Sequence, residues 1–267
     1  LTGIFNNVSQ IYANEDVALS LSNIFIWDVS DPHASQSLTG NILSSLQTYW
    51  NNRSNNFSGE LVHFVTTKSG GGVAYLGGGS SVFNGMASRS IIPNRSYSYG
   101  MSAGITSSVV NIPTYSWNVM VIAHEIGHNM GLPHTHSCNW SDGTRDANNA
   151  FINQAIDNCG TTAGYVEGSC TDIPTPTNGG TVMSYCHLIS GIGINLANNF
   201  GTLPGAKMRA EVAALSSILP SAISPPAFQE VAVSCTPQSY VLRAFGCESG
   251  TYKWYNALSG GSLLQTG

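Results

Sequence analysis

The chain has 267 residues, 42% of them hydrophobic and only 9% charged, with a formal net charge of −5. Nine Lys and Arg are scattered without a basic patch, which excludes a nucleic-acid partner. The lack of any run of about 18 apolar residues excludes a membrane-spanning helix, and the high apolar content excludes disorder. The length suits one large domain, or a domain with a fragment of a second. Leu1 is not an initiator Met, so the sequence is read as a processed form or as beginning partway into a longer chain.

Ile4 to Tyr12 spaces Ile4, Phe5, Val8, Ile11 and Tyr12 three and four apart, which predicts a helix. Ala18 to Asp28 alternates and is rich in Leu, Ile, Phe and Trp, which predicts a strand. Leu38 to Trp50 is helical again, with Leu38, Ile42, Leu46 and Tyr49 on one face. Glu60 to Thr67, Val73 to Leu76 and Tyr97 to Ile105 read as further strands. Strands mixed with helices in this way predict an α/β domain, a sheet covered by helices.

Trp117 to Asn129 is a helix with a stop signal at Gly131 and Pro133. From Ser137 to Leu196 the pattern dissolves into Gly, Asn, Asp and Pro with four cysteines. Pro204 to Leu219 restores a helical pattern, and Pro225-Pro226 breaks it. Short strand runs follow at Val231 to Val233, Tyr240 to Phe245 and Thr251 to Tyr255. The expected division is therefore a domain over 1–221 and a linker with a partial second module over 222–267. The six cysteines, with little Lys, point to an oxidising, extracellular setting and a secreted protein.

The chemistry concentrates in His124-Glu125-Ile126-Gly127-His128. Four residues on a helix advance about 400°, so the two imidazoles project from nearly the same face and can share one ion. Glu125, next to the first histidine, can reach a water on that ion. Gly131 allows a sharp turn that brings His134 back as a third ligand. Three neutral nitrogens with a fourth position open is the catalytic arrangement for zinc rather than the closed structural one. Two core histidines on an ordinary helix would be the bland alternative; the added register of Gly131 and His134 argues strongly against it.

His124 to His134 as a whole is similar to the long zinc signature of the metzincin metalloendopeptidases. Thr181-Val182-Met183-Ser184-Tyr185 resembles their methionine turn. The phrase His-Glu-Ile-Gly-His-Asn is most similar to the adamalysin, or reprolysin, branch and its secreted bacterial members. Two positions depart from that branch: Thr135 stands where Asp is usual, and Tyr185 resembles the tyrosine of astacins and serralysins.

The resemblance implies a metzincin fold: a twisted mixed five-stranded sheet with helices, a zinc cleft, and an irregular disulfide-stapled C-terminal subdomain. Its first strand would lie ahead of Ile4, outside this sequence. It implies a zinc endopeptidase acting on extracellular proteins, with His124, His128 and His134 as ligands and Glu125 as general base. Met183 would pack beneath the ligands. Tyr185 would bind zinc at rest and hydrogen-bond the oxyanion in turnover. Substrate would pair with an edge strand at Val73, Ala74, Tyr75 and Leu76. A monomer with protein or peptide substrates is expected. The rival reading, a non-catalytic adhesion protein on the same scaffold, has no need of Glu125 or of all three histidines.

If the signature and the methionine turn surround one zinc, Cys138 comes near Cys186, and Cys159 would then pair with Cys170; four cysteines allow three connectivities. Cys235 with Cys247 is expected in the tail, which resembles the start of an immunoglobulin-like module. Asn139, Asp142 and Asp146 offer oxygens at a spacing at which Ca2+ can bind, although the calcium-loop pattern is incomplete. His136 is read as a supporting or solvent-facing residue, His187 as a residue of the cleft or the surface, and His33 and His63 as structural.

Overall fold

The computed structural model describes residues 1–27, 30–52, 60–76, 98–170 and 173–216, and the backbone of short strands beyond them. The elements are α1 (Thr2–Ala13), α2 (Thr39–Asn51), β1 (Val62–Val65), β2 (Gly72–Ala74), β3 (Tyr99–Ser102), α3 (Trp117–Asn129), α4 (Cys159–Thr162) and α5 (Thr202–Ser216). The chain divides into two units, Leu1–Ile218 and Leu219–Gly267.

The three strands form one sheet in the order β1-β3-β2. β1 runs parallel to β3, with Val62 opposite Tyr99 and Val65 opposite Ser102. β2 runs antiparallel, with Gly72 opposite Ser102 and Ala74 opposite Gly100. β3 is buried along its length. Side chains alternate across a strand, so each strand serves two cores. Tyr99 and Met101 of β3 join Ile42, Leu43 and Leu46 of α2, with Val62, Phe64, Val73 and Tyr75 packed against them. Gly100 of β3 faces the opposite way, where a Cβ would lie 3.0 Å from the Asn129 side chain of α3. The sheet is thus held between α2 and α3. His63 of β1 hydrogen-bonds the Ser102 hydroxyl through Nε2 at 2.9 Å. Burial lowers its pKa to about 4 and keeps it neutral.

The larger core lies around α3. Its sequence is apolar on every side, apart from the histidines, Glu125 and Asn residues, and every residue from Asn118 to Asn129 is buried. α1 lays Ile4, Val8, Ile11 and Tyr12 into this core. The Tyr12 hydroxyl donates to the Ala123 carbonyl at 2.9 Å, so the one polar atom of that stripe is satisfied. Asn129 donates to the carbonyls of Tyr75 and Tyr99, fastening the end of α3 to the sheet.

The strand expected over Ala18 to Asp28 is not one: residues 18–27 have no regular secondary structure and join no ladder. Leu21, Ile24 and Ile26 are exposed, and the aromatic residues of the run make ring contacts instead. Trp27 stands edge-on to Tyr49, His33 and Phe64, and Phe25 to Trp50. The main sheet therefore has three strands among the described residues, against the five expected. The second unit holds two antiparallel pairs, β4 (Ala227–Phe228) with β5 (Ala244–Phe245), and β6 (Lys253–Tyr255) with β7 (Leu263–Thr266). Cys235 and Cys247 lie outside the described residues. Among the described residues, no helix is long and apolar enough to cross a membrane.

The stretch after α3 is irregular, as its composition predicts, but its bridges differ from the expected pairs. Cys138 is joined to Cys170, and Cys159 to Cys186. The reason is packing. The Cys138 amide donates to the Glu167 carbonyl at 2.9 Å, which lays residues 137–138 alongside 167–170. Cys159 opens the short helix α4, which packs on the 3-10 turn Cys186–Leu188. Proximity to the metal motif placed Cys138 by Cys186, yet the methionine turn meets Thr135 rather than Cys138. Each bridge spans about 30 residues and contributes about 3 to 4 kcal/mol in the chain-entropy picture. Peptide mapping of the non-reduced protein should recover the peptides of Cys138 with Cys170 and of Cys159 with Cys186; recovery of Cys138 linked to Cys186 would show that the strands of this loop are packed otherwise.

Candidate metal centre

α3 carries His124 and His128 one turn apart, with ring centroids 4.8 Å from each other. The helix ends at Asn129, and Gly131 turns the chain at φ +85°, a conformation that side chains resist. His134 then folds back, its ring centroid 4.6 Å from that of His128 and 5.2 Å from that of His124. The ligand atoms of the three rings all lie within 4.8 Å of one another.

Hydrogen bonds on the far side of each ring fix the tautomers. His124 Nδ1 bonds the Val182 carbonyl and His128 Nδ1 the Leu132 carbonyl, both at 2.7 Å. His134 Nδ1 bonds Glu167 Oε1 at 2.6 Å. Carbonyl and carboxylate oxygens only accept, so every Nδ1 carries the proton and every Nε2 turns a lone pair inward. His128 Nε2 and His134 Nε2 are 3.0 Å apart. Two lone pairs at that distance repel unless a cation lies between them. Nitrogens sharing a tetrahedral ion at 2.0 to 2.1 Å are separated by about 3.4 Å, close to what is found. Burial and mutual repulsion hold the pKa of His124 and His128 low, the latter at about 3, so the donors stay unprotonated. The donor set fits zinc.

Met183 is fully buried. A Cβ at Gly127 would lie 2.6 Å from its sulfur and 3.1 Å from Phe200. Gly127 thus lets the methionine turn approach the face of α3. Thr135 replaces the Asp of the resembled branch and serves this same contact. Its amide donates to the Met183 carbonyl at 3.1 Å and its hydroxyl at 3.3 Å. Trp140 Nε1 donates to the His134 carbonyl at 2.8 Å and secures the ligand's backbone.

The centre opens into a cleft of about 300 Å³. Gly72, Val73, Ala74 and Leu76 form one wall, and Glu125, His128, His134, Glu167 and Tyr185 line the rest. Tyr75, expected with its neighbours in that wall, turns to α2 and donates to Gln47 Oε1 at 3.1 Å. Glu125 is 4% exposed, its Oε2 has no hydrogen-bond partner, and burial pushes its pKa up to about 8. Its carboxyl lies where a Cβ on Gly72 would go, so only glycine there leaves it room. Tyr185 lies with its ring 4.5 Å from His134 and 6.0 Å from His124. Burial first, then the carboxylates of Glu125 and Glu167, push its phenol up to about 12.

Glu167 was not foreseen. It stands 33 residues from His134 without a motif, and its only signal is its place three residues before Cys170. His136 is not solvent-facing: it is 1% exposed and stacks on His134 at 9°, with centroids 4.9 Å apart. His187 packs beside Trp117 and Tyr185 and does not line the cleft. The calcium reading gains no support here. Asp142 accepts from the Thr144 amide, and Asp146 from the amides of Asn148 and Ala150. Asn139 donates to Ser137. These are loop-closing bonds, and among the described residues neither aspartate joins a cluster that could hold a metal.

The chain matches Metallo-peptidase family M12 over residues 1–188, about 70% of its length. It belongs to that family. None of the curated proteins matches it. As an M12 chain it belongs to peptidases that normally use zinc and act on proteins or peptides, and His124, His128 and His134 form a cluster able to bind the metal. The matched span runs from α1 through the methionine turn and ends at Leu188, so it contains every wall of the cleft. In this M12 chain Gly127→Ala should lower stability by about 1 to 3 kcal/mol through overpacking. Thermal unfolding of the metal-free protein checks this, and the loss in Gly127→Ala combined with Met183→Ala should be smaller than the sum of the two single losses, because the added methyl crowds the Met183 sulfur.

Proposed function

We propose that the protein is a secreted zinc endopeptidase, hydrolysing peptide bonds in extracellular proteins at the centre on α3. The observation that carries the reading is the set of three inward Nε2 lone pairs together with the buried Glu125 carboxyl, whose Oε2 has no hydrogen-bond partner, in the lining of the cleft. A scaffold used only for binding has no need to bury a carboxyl oxygen without a partner, since that costs free energy. The two disulfides support an oxidising, extracellular setting.

His124, His128 and His134 would hold the ion. Zinc held there would supply Lewis acidity. Glu125 would accept a proton from the attacking water as general base and return it to the leaving amine. Tyr185 would donate its phenol hydrogen to the oxyanion that develops beside His134. β2 is at the edge of the sheet among the described residues and lies along the cleft, so an extended substrate can add to it as a further strand. Backbone pairing tolerates many sequences, which suits a peptidase acting on varied proteins. The catalytic domain takes up 1–221 in this reading, and 222–267 is a linker and part of an immunoglobulin-like module; the division at Ile218 supports that boundary.

Casein digestion by the zinc-loaded protein, abolished by chelator and restored by zinc, is the direct test. Glu125→Gln should retain zinc and fold while turnover falls at least about a hundredfold; near-normal turnover with zinc bound would move the base elsewhere. Tyr185→Phe should lower kcat by up to about a hundredfold with KM nearly unchanged, since a bond made only in the transition state is lost. A rise in KM alone would make Tyr185 a substrate-binding residue instead.

A further inference from the structure

The three ligands are not held alike. His124 and His128 sit on a buried helix, and their Nδ1 atoms bond main-chain carbonyls that the fold places in any case. His134 lies beyond the helix, and its Nδ1 acceptor is a side chain, Glu167 Oε1 at 2.6 Å. The geometry points to Glu167 as the positioning residue of the third metal ligand, acting through His134. This rests on the metal reading above and extends it to a residue outside the three-histidine ligand set.

Several features place that carboxylate. The Cys138–Cys170 bridge closes the loop that contains it. The Cys138 amide donates to the Glu167 carbonyl at 2.9 Å. Gly168, at φ +105°, lets the chain pass so close that a Cβ there would lie 2.8 Å from Cys138 Cβ. Behind His134 the stacked His136 ring prevents it from tilting away. His136 has its own support, because a Cβ at Gly160 would overlap its ring at 2.2 Å. His136 Nε2 is 3.6 Å from the same Glu167 oxygen, too far for a hydrogen bond, so the carboxylate is directed at His134. A carboxylate acceptor fixes the ring's rotation and makes Nε2 a stronger donor than a carbonyl does, and losing such a partner typically weakens metal binding by about 10- to 100-fold.

The test uses the full chain as wild type, Glu167→Ala and Glu167→Gln. Zinc affinity is measured by competition with a chelator of known strength, alongside the visible spectrum of the Co2+-loaded proteins and the unfolding temperature of the metal-free ones. Glu167→Ala should bind zinc about 10- to 100-fold more weakly and shift the Co2+ spectrum, with unfolding of the metal-free form little changed. Glu167→Gln keeps an acceptor oxygen without the charge and should recover part of the affinity, falling about three- to tenfold short of wild type. A Glu167→Ala protein within twofold of wild type, with an unchanged Co2+ spectrum, would overturn the assignment and leave the peptidase reading standing. Wild type that takes up no zinc would overturn both. Should Glu167→Ala fail to fold, Glu167→Gln decides, with wild-type affinity and spectrum as the overturning result.

Discussion

Three imidazoles turned towards one point need something to keep them there, because their inward lone pairs repel. The M12 chain meets that constraint with a ring of outward hydrogen bonds from Nδ1 to Val182, Leu132 and Glu167. Each bond commits a different segment. Val182 brings the methionine turn under α3, Leu132 brings the turn after Gly131, and Glu167 brings the loop bridged by Cys138 and Cys170. Much of the irregular half of the domain is therefore explained by what the three rings require of it.

The rest of the scaffold serves close approach. Glycines at 72 and 127 are points where a neighbouring side chain comes nearer than a Cβ permits. Gly72 leaves room for the Glu125 carboxyl, and Gly127 for the Met183 sulfur. α3 itself is buried almost completely, which fixes His124 and His128 but also desolvates Glu125 and raises its pKa. A cation at the histidines opposes that rise, so the base and the metal are electrostatically coupled. The hydrophobic environment that positions the ligands thus also sets the chemistry of their neighbour.

Covalent cross-links take over where regular structure ends. Between α3 and α5 the described chain has only one helical turn, two short 3-10 turns and isolated bridges. Two disulfides and a set of Asp and Asn side chains bonded to their own backbone hold it instead. The same loop supplies Glu167 and Tyr185 to the cleft, so the least regular part of the domain contributes directly to its most exacting site.

The sequence by itself determined what depends on local periodicity. The four-residue step from His124 to His128 places both rings on one helical face, and the stop signal at Gly131 and Pro133 marks the end of α3, so the metal centre was legible before any tertiary contact was known. Gly131, His134 and Met183 follow from that register and the resemblance it carries. Tertiary structure alone decided the partners drawn from segments without a period. It paired Cys138 with Cys170, turned the apolar run at 18–27 into an aromatic cluster rather than a strand, and gave the oxygens of Asp142 and Asp146 to the backbone. It also brought Glu167 to His134 across 33 residues of loop. Spacing encodes neighbours only where the backbone repeats. In a loop the neighbour is whatever packing and covalent closure bring within reach, and no residue interval records it.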